Sequence, residues 1–321
     1  MRRFSLGFAL LALPAFVLSI MLAGCGNKDT KTSGGGGEKG GSESEMAAQK
    51  QDLKVLEPGK GVLKGKITLK GNPDLKALTN VLHEEMKKKD TDYCMKGSDP
   101  ETTEFTYRVN DKGLLGNVFV WVVPDTGTFF KVDKKQLDEL PKTVDTHQPH
   151  CAFIPHCLFH FSQYKPDPKK PKEMKPTGQI WVIHNDAEIG HNTNFGGGSK
   201  NKGENLTLQA KSERKIENLV PEMKEVAITC NVHPWMKGFM RVVDTPYYAL
   251  SLSDALDGKN KVDKSDPKFG TYEIQNLPAA KVRVIAWHEA CGYLNKGGGQ
   301  GEEIEIKADK PTEKDFDATA K

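Results

Sequence analysis

The alternation of apolar and polar positions predicts a chain built mainly of β-strands. In residues 61–71, valine, leucine and isoleucine alternate with lysines, and the run leads into a Gly-Asn-Pro turn signal. Three further runs are typical of strands in the same way: GNVFVWVV (116–123), GQIWVIHN (178–185) and KEVAITC (224–230). These patterns predict an all-β fold class.

One stretch has the spacing of a helix instead. Residues 75–89 place apolar side chains at about helical spacing, with Leu78, Val81, Leu82 and Met86 on one side. We therefore predict a short surface helix there.

The N-terminus has the features of a secretory signal. Met1, Arg2 and Arg3 are followed by an almost unbroken apolar run over residues 4–21. The next four residues, LAGC, resemble the lipobox of bacterial lipoproteins, in which the chain is cut before the cysteine. The resemblance implies removal of residues 1–24 and acylation of Cys25, and acyl chains hold a protein on a membrane by about 0.8 kcal/mol per buried methylene. An ordinary signal with a chance cysteine is the alternative.

A lipoprotein signal implies a place in the bacterial cell envelope, lipid-anchored and facing the periplasm or the cell surface. Residues 25–57 begin as a run of Gly, Ser, Lys and Glu with almost nothing apolar, which predicts a flexible tether. The remaining length suggests two domains.

Charge gives little indication of a partner. The formal net charge of +3 includes Arg2 and Arg3 of the signal, so the rest of the chain is nearly balanced. The lysine-rich residues 165–176 contain four prolines and no interleaved aromatic residue, which is typical of a solvated loop. We predict no nucleic-acid partner.

A candidate metal site lies in the stretch AITCNVHPWMKG (227–238). A strand leads to Cys230, a tight turn carries His233 and Met236, and a second strand leaves the turn. A thiolate, an imidazole and a thioether form most of the two-His, one-Cys set with a weak Met that suits copper. A second imidazole is available from His191 in HNDAEIGHNTNF, just after the predicted strand 178–185.

The two loops HNTNF and CNVHPWMKG resemble the copper-ligand loops of the cupredoxins, and the C-x-x-H-x-x-M spacing is similar to the amicyanin type. The resemblance implies a Greek-key β-sandwich over residues 126–245 and one type 1 copper per chain. It assigns four residues as the copper ligands: His191, Cys230, His233 and Met236.

The same resemblance suggests roles for neighbouring residues. Asn192 would tie the two ligand loops together by hydrogen bonds. The edge of His233 would be the route for electrons to a redox protein partner, and Pro234 would stiffen the loop. Trp235 would either contact the partner or shield the copper from water.

The segments on either side of this region resemble the carboxypeptidase regulatory-like sandwich. The matching positions are Gly61, Gly65, residues 118–123 and residues 269–278. We predict that residues 58–125 and 246–312 form this second small β-sandwich and that the cupredoxin is inserted into one of its loops. Three consecutive modules are the simpler alternative.

Cysteine parity agrees with a metal-bound thiolate. Six cysteines minus the acylated Cys25 leave five, and a ligand role for Cys230 explains the odd one. The other four allow two disulfides in three connectivities, and all four could be free thiols: Cys94, Cys151, Cys157 and Cys291. Cys94 with Cys151 is our preferred pair.

A second cluster of possible ligands has no defined spacing. Its histidines crowd one segment: His147, His150, His156 and His160. They could form a second metal site, but their spacing mixes strand and loop and does not favour one. Zinc at the first site is disfavoured, because Met is a poor zinc ligand and Cys230 has no second cysteine at the needed spacing.

Enzymatic motifs are missing from the sequence. The glycine-rich residues 195–203 do not have the order of a phosphate-binding loop, and neither a nucleophile elbow nor a C-x-x-C-H haem motif is present. We therefore predict a non-enzyme. Three functions remain open: a membrane-anchored electron carrier, an envelope copper carrier or buffer, and a metal-free scaffold lipoprotein with a cupredoxin fold.

Overall fold

The alternating segments form strands, and the fold is all-β. The computed structural model describes residues 53–198, 200–254 and 262–321. The predicted signal peptide, Cys25 and most of the tether lie outside the described residues. Within the part that is described, none of the helices is long and apolar enough to cross a bilayer.

Twenty-one strands and four short α-helices follow one another along the described chain. The strands are β1 Lys54–Leu56, β2 Gly61–Lys70, β3 Phe119–Pro124, β4 Thr128–Phe130, β5 Thr143–His147, β6 Cys157–Phe161, β7 Gln163–Tyr164, β8 Lys175–Pro176, β9 Ile180–Asn185, β10 His191–Gly196, β11 Glu204–Leu208, β12 Ser212–Ile216, β13 Val226–Thr229, β14 Lys237–Val243, β15 Tyr248–Leu250, β16 Thr271–Leu277, β17 Lys281–His288, β18 Gly292–Tyr293, β19 Glu302–Glu305, β20 Thr312–Glu313 and β21 Phe316–Thr319. The helices are α1 Leu75–Met86, α2 Thr91–Cys94, α3 Asp99–Thr102 and α4 Lys134–Glu139, and a 3₁₀ turn covers Gly298–Gln300.

Strands β5, β6 and β9 to β14 form what we call the inner sandwich. One sheet has the order β11-β10-β13-β14-β6 and the other β12-β9-β5. Their facing side chains share one buried core, which includes Trp181, Phe195, Ile228 and Met240. Trp181 lies completely inside, where its indole N–H donates to Thr146 at 2.9 Å. The alternation in the sequence therefore marks the inward faces of these strands.

Strands β2, β3 and β15 to β21 form the outer sandwich. A sheet ordered β15-β3-β17, with β18 and β19 also beside β17, faces a sheet in which β2 pairs with β16, β20 and β21. Leu63, Ile67, Val120 and Val284 lie in its core with no exposed surface. The apolar residues of the predicted strand runs 61–71 and 116–123 therefore contribute to this core.

Strands from both ends of the described chain build the outer sandwich together. β2 pairs antiparallel with β16, so that Leu63 faces Ile274, and β3 pairs antiparallel with β17. The inner sandwich therefore lies, in sequence, between two halves of the outer one. The resemblance of the outer sandwich to carboxypeptidase regulatory-like domains stays a prediction.

An aromatic layer joins the two sandwiches. Phe119 and Trp121 on the outward face of β3 pack on Phe159 of β6, with Phe119 and Phe159 rings 5.0 Å apart. The buried guanidinium of Arg241 lies 4.2 Å from the ring of Trp287, which is a cation–π geometry. The apolar β3 positions that do not face the outer core therefore face the inner sandwich.

The predicted helix is present as α1, although it ends at Met86, three residues before the predicted end. Asp74 caps its N-terminus by accepting a 2.8 Å hydrogen bond from the backbone N–H of Ala77. Its buried residues Leu82 and Met86 belong to the core of the inner sandwich, together with Cys94 and Phe105. We call residues 75–105, which contain α1, α2 and α3, the cover segment.

Candidate metal centre

Strand pairing brings the two ligand loops to one end of the inner sandwich. His191 is the first residue of β10, and Cys230 directly follows β13. These strands are antiparallel neighbours with Asn194 opposite Thr229, so the start of one meets the end of the other. His233 and Met236 lie in the turn from β13 to β14, and the backbone N–H of Met236 donates to the carbonyl of His233 at 2.9 Å.

Three donor atoms converge between the loops. The Nδ1 atoms of His191 and His233 are 3.0 Å apart, and each lies 4.0 Å from Sγ of Cys230. A point in their plane about 2.05 Å from each nitrogen lies about 2.3 Å from the sulfur, and these are bond lengths of first-row metals to imidazole and thiolate. The three residues therefore fit one metal ion.

The donor set favours copper among the first-row metals. Two imidazoles and one thiolate in a triangle, with a methionine in the same loop, are the ligands of type 1 copper. Met236 has no exposed surface and belongs to the same buried cluster as Cys230. A closed zinc site would use more thiolate, imidazole or carboxylate ligands in place of the methionine.

Asn192 connects the two loops by hydrogen bonds. Its Oδ1 accepts from the backbone N–H groups of Asn231 at 2.7 Å and Val232 at 3.2 Å, and it lies 3.2 Å from Sγ of Cys230. Its amide group in turn contacts Asn205 on β11. The residue beside one ligand thus fixes the backbone that follows another.

Burial keeps the ring nitrogens in the state that a metal requires. It lowers the pKa of His191 to about 4, with the neighbouring His233 acting in the same direction. Burial also lowers the pKa of His233, opposed by the hydrogen bond and charge of Asp90. Only a neutral imidazole has a lone pair for a metal, so both rings are prepared to ligate at neutral pH.

The cover segment closes over the loop that carries His233. Oδ2 of Asp90 lies 2.9 Å from Nε2 of His233, whose side chain has no exposed surface. The structure contains a disulfide between Cys94 and Cys151, and its two sulfurs and a ring nitrogen of His233 lie within 4.8 Å of one another. The edge of His233, which the cupredoxin resemblance suggests as the electron route, is therefore covered by Asp90 and the disulfide.

The two remaining loop residues differ in exposure. Pro234 is exposed, whereas Trp235 is only 7% exposed and its ring lies 5.1 Å from that of His233. The indole N–H of Trp235 donates to the carbonyl of Cys151 at 3.2 Å. Of the two roles considered for Trp235, the structure favours shielding over partner contact.

The four crowded histidines do not form a common site. His147 stacks on His184 with ring centroids 4.5 Å apart, His150 contacts Glu101, and His160 lies 3.1 Å from the carbonyl of Gln179. His156 contacts Glu289 at the junction of the sandwiches, and with Cys157 these two residues place three ligand-type atoms within 4.8 Å. His147 and His160 lie on strands and His150 and His156 in the loop between them, and each of the four rings contacts a different partner.

The cover segment is the part of the site that sequence reasoning missed. Asp90 follows a lysine run at the end of a helix that was predicted to be an ordinary surface element. Its contact with His233 spans 143 residues, and local pattern carries no information on contacts of that range. The preferred pairing of Cys94 with Cys151 was the one indication that this segment approaches the inner sandwich.

Comparison with solved structures returns copper proteins over about a third of the chain. A copper-containing nitrite reductase from Thermus scotoductus SA-01 has 16% identity and a TM-score of 0.25, over 33% of this chain and 23% of that one. An oxidized amicyanin variant has 12% identity and a TM-score of 0.24, over 33% of this chain and 88% of that one. A purple cupredoxin from Nitrosopumilus maritimus has 14% identity and a TM-score of 0.22, over 31% and 98%.

These likenesses are too low in identity and score to carry an argument about function. This chain spans about a quarter of the nitrite reductase that it matches. No protein-family model matches the chain, and no curated protein matches it. The case for copper therefore depends on the donor atoms themselves.

Proposed function

We propose that the protein is a type 1 copper protein that carries single electrons between redox partners of the cell envelope. His191, Cys230 and His233 would hold the metal, with Met236 as the weak fourth ligand. The observation that supports this most is the buried triangle of Nδ1, Nδ1 and Sγ, with sides of 3.0, 4.0 and 4.0 Å.

The residues around the site are suited to fast electron exchange by a bound copper ion. Copper bound here would supply a one-electron couple between Cu(I) and Cu(II). The ligand side chains are at most 2% exposed, and Asn192 and the paired strands β10 and β13 fix their positions. Rigid ligands move little when the metal charge changes, so the barrier to electron exchange is small.

The same burial favours an electron carrier over the alternatives. A copper carrier or buffer has to exchange its ion with other molecules, and an enzyme has to admit a substrate to the metal. Here the cover segment, Trp235 and the cores of both sheets enclose the donor atoms. In a metal-free scaffold the 3.0 Å contact of the two Nδ1 atoms would be an N–H···N hydrogen bond, which does not require a cysteine sulfur 4.0 Å from both nitrogens.

The location of the protein is a further part of the proposal. LAGC resembles a lipobox, so we expect Cys25 to be acylated and the folded part to work near an envelope membrane, facing a redox protein of unknown identity. Metabolic labelling with a fatty acid tests this. Label on the wild type and none on Cys25→Ser is the expected result, and an unlabelled wild type would contradict it.

Copper spectroscopy tests the proposed function directly. The full chain, purified in detergent and loaded with Cu(II), is expected to show intense visible absorption from the thiolate and narrow copper hyperfine splitting. Cys230→Ser should abolish both signals. Cys291→Ser is the matched control, because Cys291 is a free cysteine that packs against the core of the outer sandwich, and it should leave both signals unchanged. A colourless wild type, or a spectrum that survives Cys230→Ser, would exclude the type 1 site.

A further inference from the structure

The contact between Asp90 and His233 joins the cover segment to the metal centre. Asp90 Oδ2 lies 2.9 Å from His233 Nε2, on the side of the ring opposite to the Nδ1 atom that faces His191 and Cys230. The His233 side chain is fully buried, whereas that of Asp90 is 39% exposed. A carboxylate at this distance accepts the Nε2 proton in a charge-assisted hydrogen bond.

We propose that Asp90 is a positioning residue of the copper site, one that holds His233 in the Nε2–H tautomer and lowers the reduction potential of the metal. This inference rests on the proposed function. With the proton on Nε2, the lone pair of Nδ1 is directed at the metal. The acceptor on the second nitrogen also makes the ring a stronger donor, because it pulls the proton away from the imidazole.

Charge explains the direction of the effect on the potential. Copper with one thiolate carries one positive charge as Cu(II) and none as Cu(I). A fixed carboxylate beyond His233 therefore stabilises the oxidised state more than the reduced one. The interaction passes through a buried ring, where screening by water is weaker than at the surface.

The cover segment holds Asp90 firmly enough for this role. Asp90 has φ of 49°, in the left-handed region that Asp and Asn adopt more readily than other non-glycine residues. Four residues later Cys94 is bonded to Cys151, and between them the hydroxyl of Tyr93 donates to the carbonyl of Pro149 at 3.2 Å. These links tie α2 to the inner sandwich.

The test compares Asp90→Asn with Asp92→Asn in the copper-loaded full chain. Asn keeps the size and the left-handed backbone of Asp90 and removes only its charge. Asp92 is the matched control, because it lies two residues after Asp90, in α2, and is exposed. Potentiometric titration of the visible band measures the ratio of Cu(II) to Cu(I).

We expect Asp90→Asn to move that ratio at least tenfold toward Cu(I), which is about 59 mV for one electron. Asp92→Asn should move it much less. An Asp90→Asn potential equal to that of Asp92→Asn would overturn the inference while leaving the proposed function intact. A wild type without the type 1 spectrum would instead overturn the proposed function, and this inference with it.

A second measurement does not depend on the potential. Cu(I) is diamagnetic, so nitrogen NMR of the reduced protein can report the Nε2 proton of His233. The wild type should show this proton slow to exchange with water, and Asp90→Ala should lose the protection. Rapid exchange in the wild type would contradict the hydrogen bond, and unchanged slow exchange in Asp90→Ala would show that Asp90 is not its acceptor.

Discussion

Removing the disulfide between Cys94 and Cys151 should loosen the proposed copper site and destabilise the whole fold. The double variant Cys94→Ala, Cys151→Ala removes the covalent link between α2 and the inner sandwich without adding a charge. The bond closes a loop over a sequence separation of 57 residues. The chain-entropy relation for such a loop gives a loss of about 4 kcal/mol in the free energy of unfolding. That is a large part of the 5–15 kcal/mol typical of a folded domain.

Two assays follow the consequences separately. Urea unfolding, monitored by tryptophan fluorescence, measures stability, and transfer of copper to a chelator measures how well the cover segment protects His233. We expect lower stability and a copper release rate at least tenfold higher than in the wild type. Cys291→Ala is the control for loss of a cysteine that is not bonded. A stability loss below about 1 kcal/mol with unchanged copper release would refute the idea that the disulfide holds the cover over the site.

Three further predictions concern groups buried away from the disulfide. Asn192→Ala removes the acceptor of two backbone N–H groups in the metal loop, so urea unfolding should show a loss of about 2 kcal/mol and the copper hyperfine splitting should broaden. If Asn192→Ala changed neither the stability nor the hyperfine splitting, the metal loop would keep its conformation without these hydrogen bonds. Glu289→Ala leaves the buried His156 without its partner at the junction of the sandwiches, and we expect a loss of about 3 kcal/mol, with a smaller loss for Glu289→Gln. Equal stability of wild type and Glu289→Ala would contradict the pairing. Burial lowers the pKa of His288 to about 4, so its unfolded form binds a proton below about pH 6.5 while the folded form does not. The metal-free protein should therefore lose up to about 3 kcal/mol at this residue as pH falls from 6.5 to 4, and His288→Gln should flatten that part of the stability profile; an unchanged slope would rule out this contribution.

The strands and the ligand loops could be predicted because their information is local. Period-two alternation in residues 61–71 and 224–230 predicts β2 and β13 to within two residues at each end. The run 116–123 begins three residues before β3, because Asn117 has φ of 61° and cannot continue a strand. Three of the candidate ligands lie within one short C-x-x-H-x-x-M loop, so their proximity is visible in the sequence. Only His191 lies far from that loop along the chain.

The position of the cover segment over the metal centre could not be predicted, because it depends on contacts between residues far apart in the sequence. Nothing in the helical pattern of residues 75–89 distinguishes a surface helix from one that seals a site in another sandwich. Val81 is indeed 61% exposed, while Leu82, the next residue, is buried in the inner core. Which surface a helix covers depends on where the flanking strands β2 and β3 lie, and those positions are set by pairings with β16 and β17 more than 150 residues away.

The cover segment comes from one half of the outer sandwich yet closes a site in the inner one. The inner sandwich, which carries the candidate metal centre, therefore depends on the outer sandwich for part of that centre. Cutting the chain at residues 126 and 245 would preserve every donor atom but would remove Asp90 and leave Cys151 without its partner. The apolar faces of Phe159 and Phe161, which now pack on residues of β3 and on Tyr248 of β15, would be open to water. We expect such a fragment to bind copper less tightly than the full chain and to associate with itself through the uncovered apolar faces.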